Sequence, residues 1–127
     1  MNRLYIATRA DLTPGMQMAQ SVHAAFHFFA DWPTLARSWL IESNFLVIVA
    51  VPDEDALASL AGLAVEEGLA RTIVREPDLG NAITAVALEP GSTARRLCAE
   101  LPLALKCKGT GPSLVMSPES AKELVMP

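Results

Sequence analysis

The junction between Leu4 and Pro14 restricts the fold of this chain more than any other stretch. Leu4-Tyr5-Ile6-Ala7 is a short apolar run of the strand kind, Arg9-Ala10-Asp11 is a polar turn, and Thr13-Pro14 opens a helical pattern. Thr13 suits the N-cap, and Pro14 suits the first helical position, where a missing N–H does no harm. A strand whose carboxyl end feeds a helix belongs to an α/β sheet, and ligands in such sheets gather at that end. Gln20 and His23 lie three positions apart on this helix, which runs to about Ala30, so they share a face near the strand's carboxyl end. Ala19, Val22, Ala25, Phe26 and Phe29 are its expected buried side.

Three further segments read as strands. Phe45–Val51 is a continuous apolar run of the kind found in a fully buried strand, and Ala70–Arg75 and Ile83–Leu88 are short and β-branched. A helix is expected over Thr34–Ile41, between Pro33 and the Glu42-Ser43-Asn44 turn. Asp53 can cap another that Gly68 closes, with Glu54 and Asp55 at its positive end and Leu57, Leu60, Leu63 and Ala64 as its apolar stripe. Pro90-Gly91-Ser92 then leads into a last helix over Thr93–Glu100. The order β-α-α-β-α-β-β-α points to a small mixed sheet covered by helices. Glu76–Ala82, between the last two strands, is either a hairpin loop or a connection across the sheet.

The 127 residues amount to one domain, expected over residues 1–105, and 51% of them are hydrophobic, ample for a core. A C-terminal linker and short tail cover 106–127, with Lys106–Ser113 as the linker and one or two helical turns over Ala121–Val125. The longest apolar run is too short to span a bilayer. With only Cys98 and Cys107 and no signal-peptide layout, a cytoplasmic protein without a structural disulfide is expected. A net charge of −4 argues against affinity gained by wrapping a long polyphosphate. Arg3, Arg9, Arg71 and Arg75, in or beside strands, and Arg95 and Arg96 on the last helix are either small phosphate-holding clusters or ordinary solvated surface.

His23 is the leading titratable candidate, either a general base positioning a water or a packing histidine bound to a backbone carbonyl. His27 follows one turn later, but Ala24 stands where the zinc-protease motif has its glutamate, and no metal site is expected. Arg75-Glu76-Pro77-Asp78-Leu79-Gly80-Asn81 also projects from a strand end. It is either an acid/base or hydroxyl-binding loop or plain turn chemistry. Asp11 has the same two readings. No nucleophile elbow, phosphate loop or dinucleotide fingerprint is present, and neither cysteine has a histidine nearby in sequence.

The strand ending Arg9-x-Asp11-Leu12, followed by Ala19-Gln20-x-x-His23-Ala24, resembles the type II (archaeal and eukaryotic-style) peptidyl-tRNA hydrolases. The likeness continues through V-A-V-P-D-E-D-A-L at the strand-to-helix junction Ala50–Leu57 and through T-A-V-A-L-E-P at Thr84–Pro90, covering about residues 3–105. It implies a four-stranded mixed sheet with helices on both faces, in a divergent bacterial branch. It also implies hydrolysis, by an activated water, of the ester joining a peptide to tRNA, with no cofactor. By the same resemblance His23 activates or orients the water. Glu76 takes the place of the family's loop aspartate, with Asp78 as the other possibility, and Arg9, Asp11, Gln20, Asn81 and Thr84 bind substrate. The family's lysines ahead of Ala-Gln are Pro14 and Met16 here, and its D-A-G-R-T-[QE] loop is replaced by the shorter E-P-D-L-G-N.

Two other functions fit the same pocket: hydrolysis of a small ester or amide without tRNA, and a binding or regulatory module without catalysis. If an acceptor stem docks, Arg3, Arg9, Arg71 and Arg75 should form a positive strip beside His23. An exposed edge on so small a sheet makes a homodimer the expected assembly.

Overall fold

The computed structural model describes residues 2–106. The elements follow the expected order: β1 (Arg3–Arg9), α1 (Pro14–Asp31), α2 (Pro33–Glu42), β2 (Phe45–Val51), α3 (Glu54–Glu66), β3 (Arg71–Glu76), β4 (Ala82–Leu88) and α4 (Ser92–Cys98). A 3₁₀ turn over Pro77–Leu79 joins β3 to β4. The sheet runs β2-β1-β4-β3. β1 pairs parallel with β2 from Arg3↔Phe45 to Arg9↔Val51, and antiparallel with β4 at Ile6↔Ala87. β4 pairs antiparallel with β3, so Glu76–Ala82 is a hairpin connection. The linker and short helix expected beyond Lys106 lie outside the described residues. No helix among those described is long and apolar enough to cross a membrane.

Both faces of the sheet are covered, and strand alternation divides the core between them. Leu4, Ile6, Val74, Ala85 and Ala87 face Ala24, Phe28, Ala36 and Trp39 on α1 and α2. Tyr5, Ala7, Val49, Val86 and Leu88 face Leu57, Leu60, Ala61 and Ala64 of α3, with Ala94 and Cys98 of α4. The helix starts follow their capping residues: Thr13 Oγ1 accepts from Met16 N–H, and Asp53 Oδ1 from Ala56 N–H at 2.9 Å. Pro33 disfavours helical backbone at the residue before it, and Trp32 accordingly breaks α1 from α2. Gly68, in the left-handed region at φ 71°, lets Leu69 N–H reach Ala64 C=O and ends α3.

Three expectations on burial are corrected. The buried stripe of α1 is Gln17, Gln20, Ser21, Ala24 and Phe28, while Val22 and Phe26 are exposed. Apolarity alone misplaces this face because its polar members are all hydrogen-bonded inside: Gln17 to Leu12 C=O, Ser21 to Gln17 C=O, and Gln20 to two side chains. On α3 the inward position is Ala61, and Leu63 is exposed. Finally, β2 is an edge strand, and Phe45 and Leu46 are each almost half exposed. Its carboxyl half is closed by the chain after α4, where Ala50 N–H donates to Pro102 C=O and Ala104 N–H to Ile48 C=O.

Candidate active site

β1, β2 and β3 point the same way, so their carboxyl ends meet at one end of the sheet, beside the start of α1. There Gln20, 3% exposed, bridges a helix and two strands. Its Nε2 donates to Glu76 Oε2 at 3.1 Å, and its Oε1 accepts from Thr84 Oγ1 at 2.6 Å. With both ends of the amide engaged, its orientation is fixed by its partners. Thr8 Oγ1 in turn donates to Thr84 C=O at 2.9 Å, beneath the helix. Glu76 is half-buried, and its other oxygen accepts from Asp78 N–H at 3.1 Å. The carboxylate is thus gripped from the helix side and the loop side, and its remaining lone pairs are open to a water or a hydroxyl.

The loop adds shape. Gly80 and Asn81 adopt left-handed backbone, Asn81 N–H returns to Glu76 C=O, and Arg75 Nη1 donates to Asn81 C=O. Asn81 therefore enters the arrangement through its main chain, with its side chain exposed. Asp78 is exposed and meets Glu76 through its backbone N–H, so Glu76 is the carboxylate that Gln20 holds. Thr84 is fully buried beneath Gln20 and reaches a substrate only through that amide.

Arg9 and Asp11 form a two-pronged ion pair, with both N···O distances 2.9 Å, and Arg9 Nη1 also donates to Ile83 C=O. The hydrogen bonds from Arg9 hold the Asp11 carboxyl below its ordinary range, and those to Asp11 raise the guanidinium. The pair straps the end of β1 to the start of β4. Glu54 does the same from α3, where Oε2 accepts from Ile83 N–H at 2.7 Å.

His23 is exposed on α1. Three positions beyond Gln20 it sits about 60° further round the helix, on the same flank, at the solvent side of the buried network. Its ring faces that of His27, and the hydrogen bonds of Gln20 do not extend to it. The histidine is therefore neither buried nor tied to a core carbonyl. An open groove of about 980 Å³, lined by Leu12, Met18, Leu103 and Leu105 among others, runs along the other flank of α1. Met18 and His23 are roughly 140° apart around the helix, and none of the site residues read from the sequence lines that groove.

The expected arginine strip does not form. Arg3 and Arg71 begin their strands while Arg9 ends β1 and Arg75 is next to last in β3, which separates Arg3 from Arg9 by ~20 Å and Arg71 from Arg75 by ~13 Å of strand. Arg3 lies over the Phe45 ring and Arg71 donates to Leu69 C=O. At the site's end, Arg9 and Arg75 share the surface with Asp11, Asp53, Glu54, Asp55, Glu76 and Asp78. Among the described residues no group of three or more His, Cys, Asp and Glu is placed to hold a metal. The Cys98 thiol is buried and pushed up to about 11 by desolvation, which keeps it protonated and poorly nucleophilic at neutral pH.

Thr8 and Glu54 were missed by the sequence reading. Thr8 had a signal: it continues the Leu4, Ile6 alternation, which places a hydroxyl on the face that α1 covers. Glu54 had none, because an acid in the first turn of a helix is already explained by the helix dipole.

A family model described as Peptidyl-tRNA hydrolase PTH2 matches residues 2–98. No curated protein gives a significant match to the chain.

Proposed function

Because the chain belongs to the peptidyl-tRNA hydrolase PTH2 family, a hydrolase family, we propose that its reaction is carried by His23 and Glu76 at the junction of α1 and the β3–β4 hairpin. The substrate is peptidyl-tRNA, and the bond cleaved is the ester between the peptide and the tRNA. Ester hydrolysis at neutral pH needs a water relieved of a proton and a surface that holds the reacting carbonyl. Glu76 accepts a hydrogen bond from the attacking water on a lone pair that Gln20 and the loop leave open. His23, exposed on the same flank, takes the water's proton as the new C–O bond forms and returns it to the leaving ribose oxygen. Gln20 is a positioning residue for Glu76, and the Arg9–Asp11 pair fixes the rim where β1 ends. Asp78 and Asn81 shape the loop around the ester, and Thr84 acts through Gln20. The enzyme works in the cytoplasm. It forms a homodimer through the open amino half of β2, where Phe45 and Leu46 are exposed.

One observation carries this reading: the 3.1 Å contact from Gln20 to Glu76 joins the helix that bears His23 to the acidic loop. The test is release of peptide from peptidyl-tRNA by the purified chain, with His23→Ala and Glu76→Gln alongside and folding followed by circular dichroism. Turnover by the wild type, lost in both folded variants, is expected. A folded wild type that releases no peptide overturns the reading, and release unaffected by both substitutions overturns the residue assignment.

A further inference from the structure

Beside this site, two imidazoles stand one turn apart on the open flank of α1. His23 and His27 are both exposed, with ring centroids 6.3 Å apart and planes tilted by 40°. Neither ring takes part in the network around Gln20, and both residues are exposed. We propose that His23 and His27 form a two-imidazole chelate for a first-row transition-metal ion.

The geometry suits it. Side chains four apart on a helix are neighbours, and two imidazoles bound to one ion at metal–nitrogen distances of about 2.0–2.1 Å bring their centroids to roughly 5 Å. Closing the observed gap takes roughly 1 Å of side-chain rotation, open to two exposed rings on a fixed backbone. No third His, Cys, Asp or Glu joins them as a cluster among the described residues. The next carboxylate along the helix, Asp31, is one turn past His27 and accepts from Thr72 Oγ1 at 2.8 Å. Water fills the other coordination positions, which makes the site an exchangeable one, unlike a four-ligand structural zinc site. Imidazole donors favour nickel, copper and zinc over magnesium or calcium, in the usual order of affinity.

The consequence for the reaction rests on the role proposed above for His23. An ion on the chelate takes the lone pair that would receive the water's proton, so transition metals switch the hydrolase off reversibly. His27, which has no part in the proposed chemistry, is what makes the enzyme sensitive.

The experiment uses the full chain without a histidine tag and has two arms. In the first, Ni(II) is titrated calorimetrically into wild type, His23→Ala and His27→Ala. One ion per wild-type chain is expected, with affinity lower by roughly tenfold or more in each variant because the second ligand no longer binds intramolecularly. No saturable binding to the wild type, or equal binding to all three, overturns the proposal. In the second arm, peptide release is measured with and without saturating Ni(II). Inhibition of the wild type is expected, with His27→Ala keeping its basal rate and ignoring the metal. Metal bound to the two histidines with the wild-type rate unchanged overturns the regulatory part and the proton-transfer role of His23 together. If no condition gives peptide release, the proposed function falls, and the first arm still decides the chelate.

Discussion

Gln20 and Glu76, 56 positions apart in sequence, meet amide to carboxylate at 3.1 Å. The contact is directional, since the Thr84 hydroxyl occupies the amide oxygen and leaves Nε2 to face the carboxylate. Gln20→Ala removes the donor and leaves the Thr84 hydroxyl without its closest acceptor. Stability should fall by about 1–3 kcal/mol, the cost of an orphaned buried group. Peptide release should fall by about 10²-fold if an unheld Glu76 drifts by an ångström. Urea midpoints and kcat/KM on peptidyl-tRNA measure the two losses, and an unchanged rate would show that Gln20 has only a structural role.

Thr84→Val keeps the shape and removes the hydroxyl, so Gln20 Oε1 is orphaned in a fully buried place. A destabilisation of about 1–3 kcal/mol is expected, while Thr84→Ser keeps the hydroxyl and should lose about 1 kcal/mol for its buried methyl. The rate should drop less than in Gln20→Ala, because the amide still reaches Glu76. A Val variant with the unfolding midpoint of wild type would exclude the hydrogen bond as the reason for a threonine there.

His23→Ala should separate chemistry from stability. The side chain is exposed and lies outside the buried network, so the unfolding midpoint should stay within experimental error. Loss of a general base typically costs 10²–10⁴-fold, and the loss should appear in kcat. A rise in KM alone would instead make His23 a binding residue.

Asp11 gives a pH dependence of defined sign. Arg9 lowers its carboxyl in the folded chain, chiefly through the hydrogen bonds, so the unfolded chain binds that proton more readily. The stabilisation is complete above the unfolded value of about 4 and is lost as pH falls through the lower folded value. The side chains are 14% and 43% exposed, which limits the effect to at most about 1 kcal/mol. Asp11→Asn should therefore have a lower urea midpoint than wild type at pH 7 and converge with it as the pH falls through the lower folded value. A gap that persists in acid would assign the effect to packing.

Charge at the site's end sets an expectation for RNA. Arg9 is committed to Asp11, which leaves Arg75 as the exposed guanidinium among six carboxylates there. An acceptor-end RNA hairpin should bind with a slope of log K against log[salt] of roughly −1 to −2, as for one or two phosphate contacts. Fluorescence anisotropy across salt concentrations gives the slope. A value steeper than about −4 would place the main RNA contact on another face.

Much of this architecture was legible because local signals agreed: Thr13-Pro14, Asp53 and Gly68 each mark the boundary where the backbone does turn. The end of the sheet where Gln20 meets Glu76 was legible for the same reason, since strand ends and helix starts are local. What one sequence could not show is which polar residues find partners. Gln17 and Ser21 are satisfied locally, by the carbonyls of Leu12 and Gln17, whereas Gln20 looks like the wet side of α1 until the sheet brings Thr84 and Glu76 to it. The edge position of β2 was hidden similarly, because Phe45–Val51 is as apolar as a central strand and only its neighbours show that it has one full partner.

The central place of β1 bears on how the protein is made. β1 leaves the ribosome about 80 residues before β4, its partner at Ile6↔Ala87, an interval on the order of 4–16 s of translation. Until then one edge of an apolar strand has no permanent neighbour. Thr8 waits equally long for the carbonyl of Thr84, and the Glu76 loop cannot be gripped before β4 arrives. Sheet closure and site assembly are therefore one late event, and a chain interrupted before Ala82 has neither.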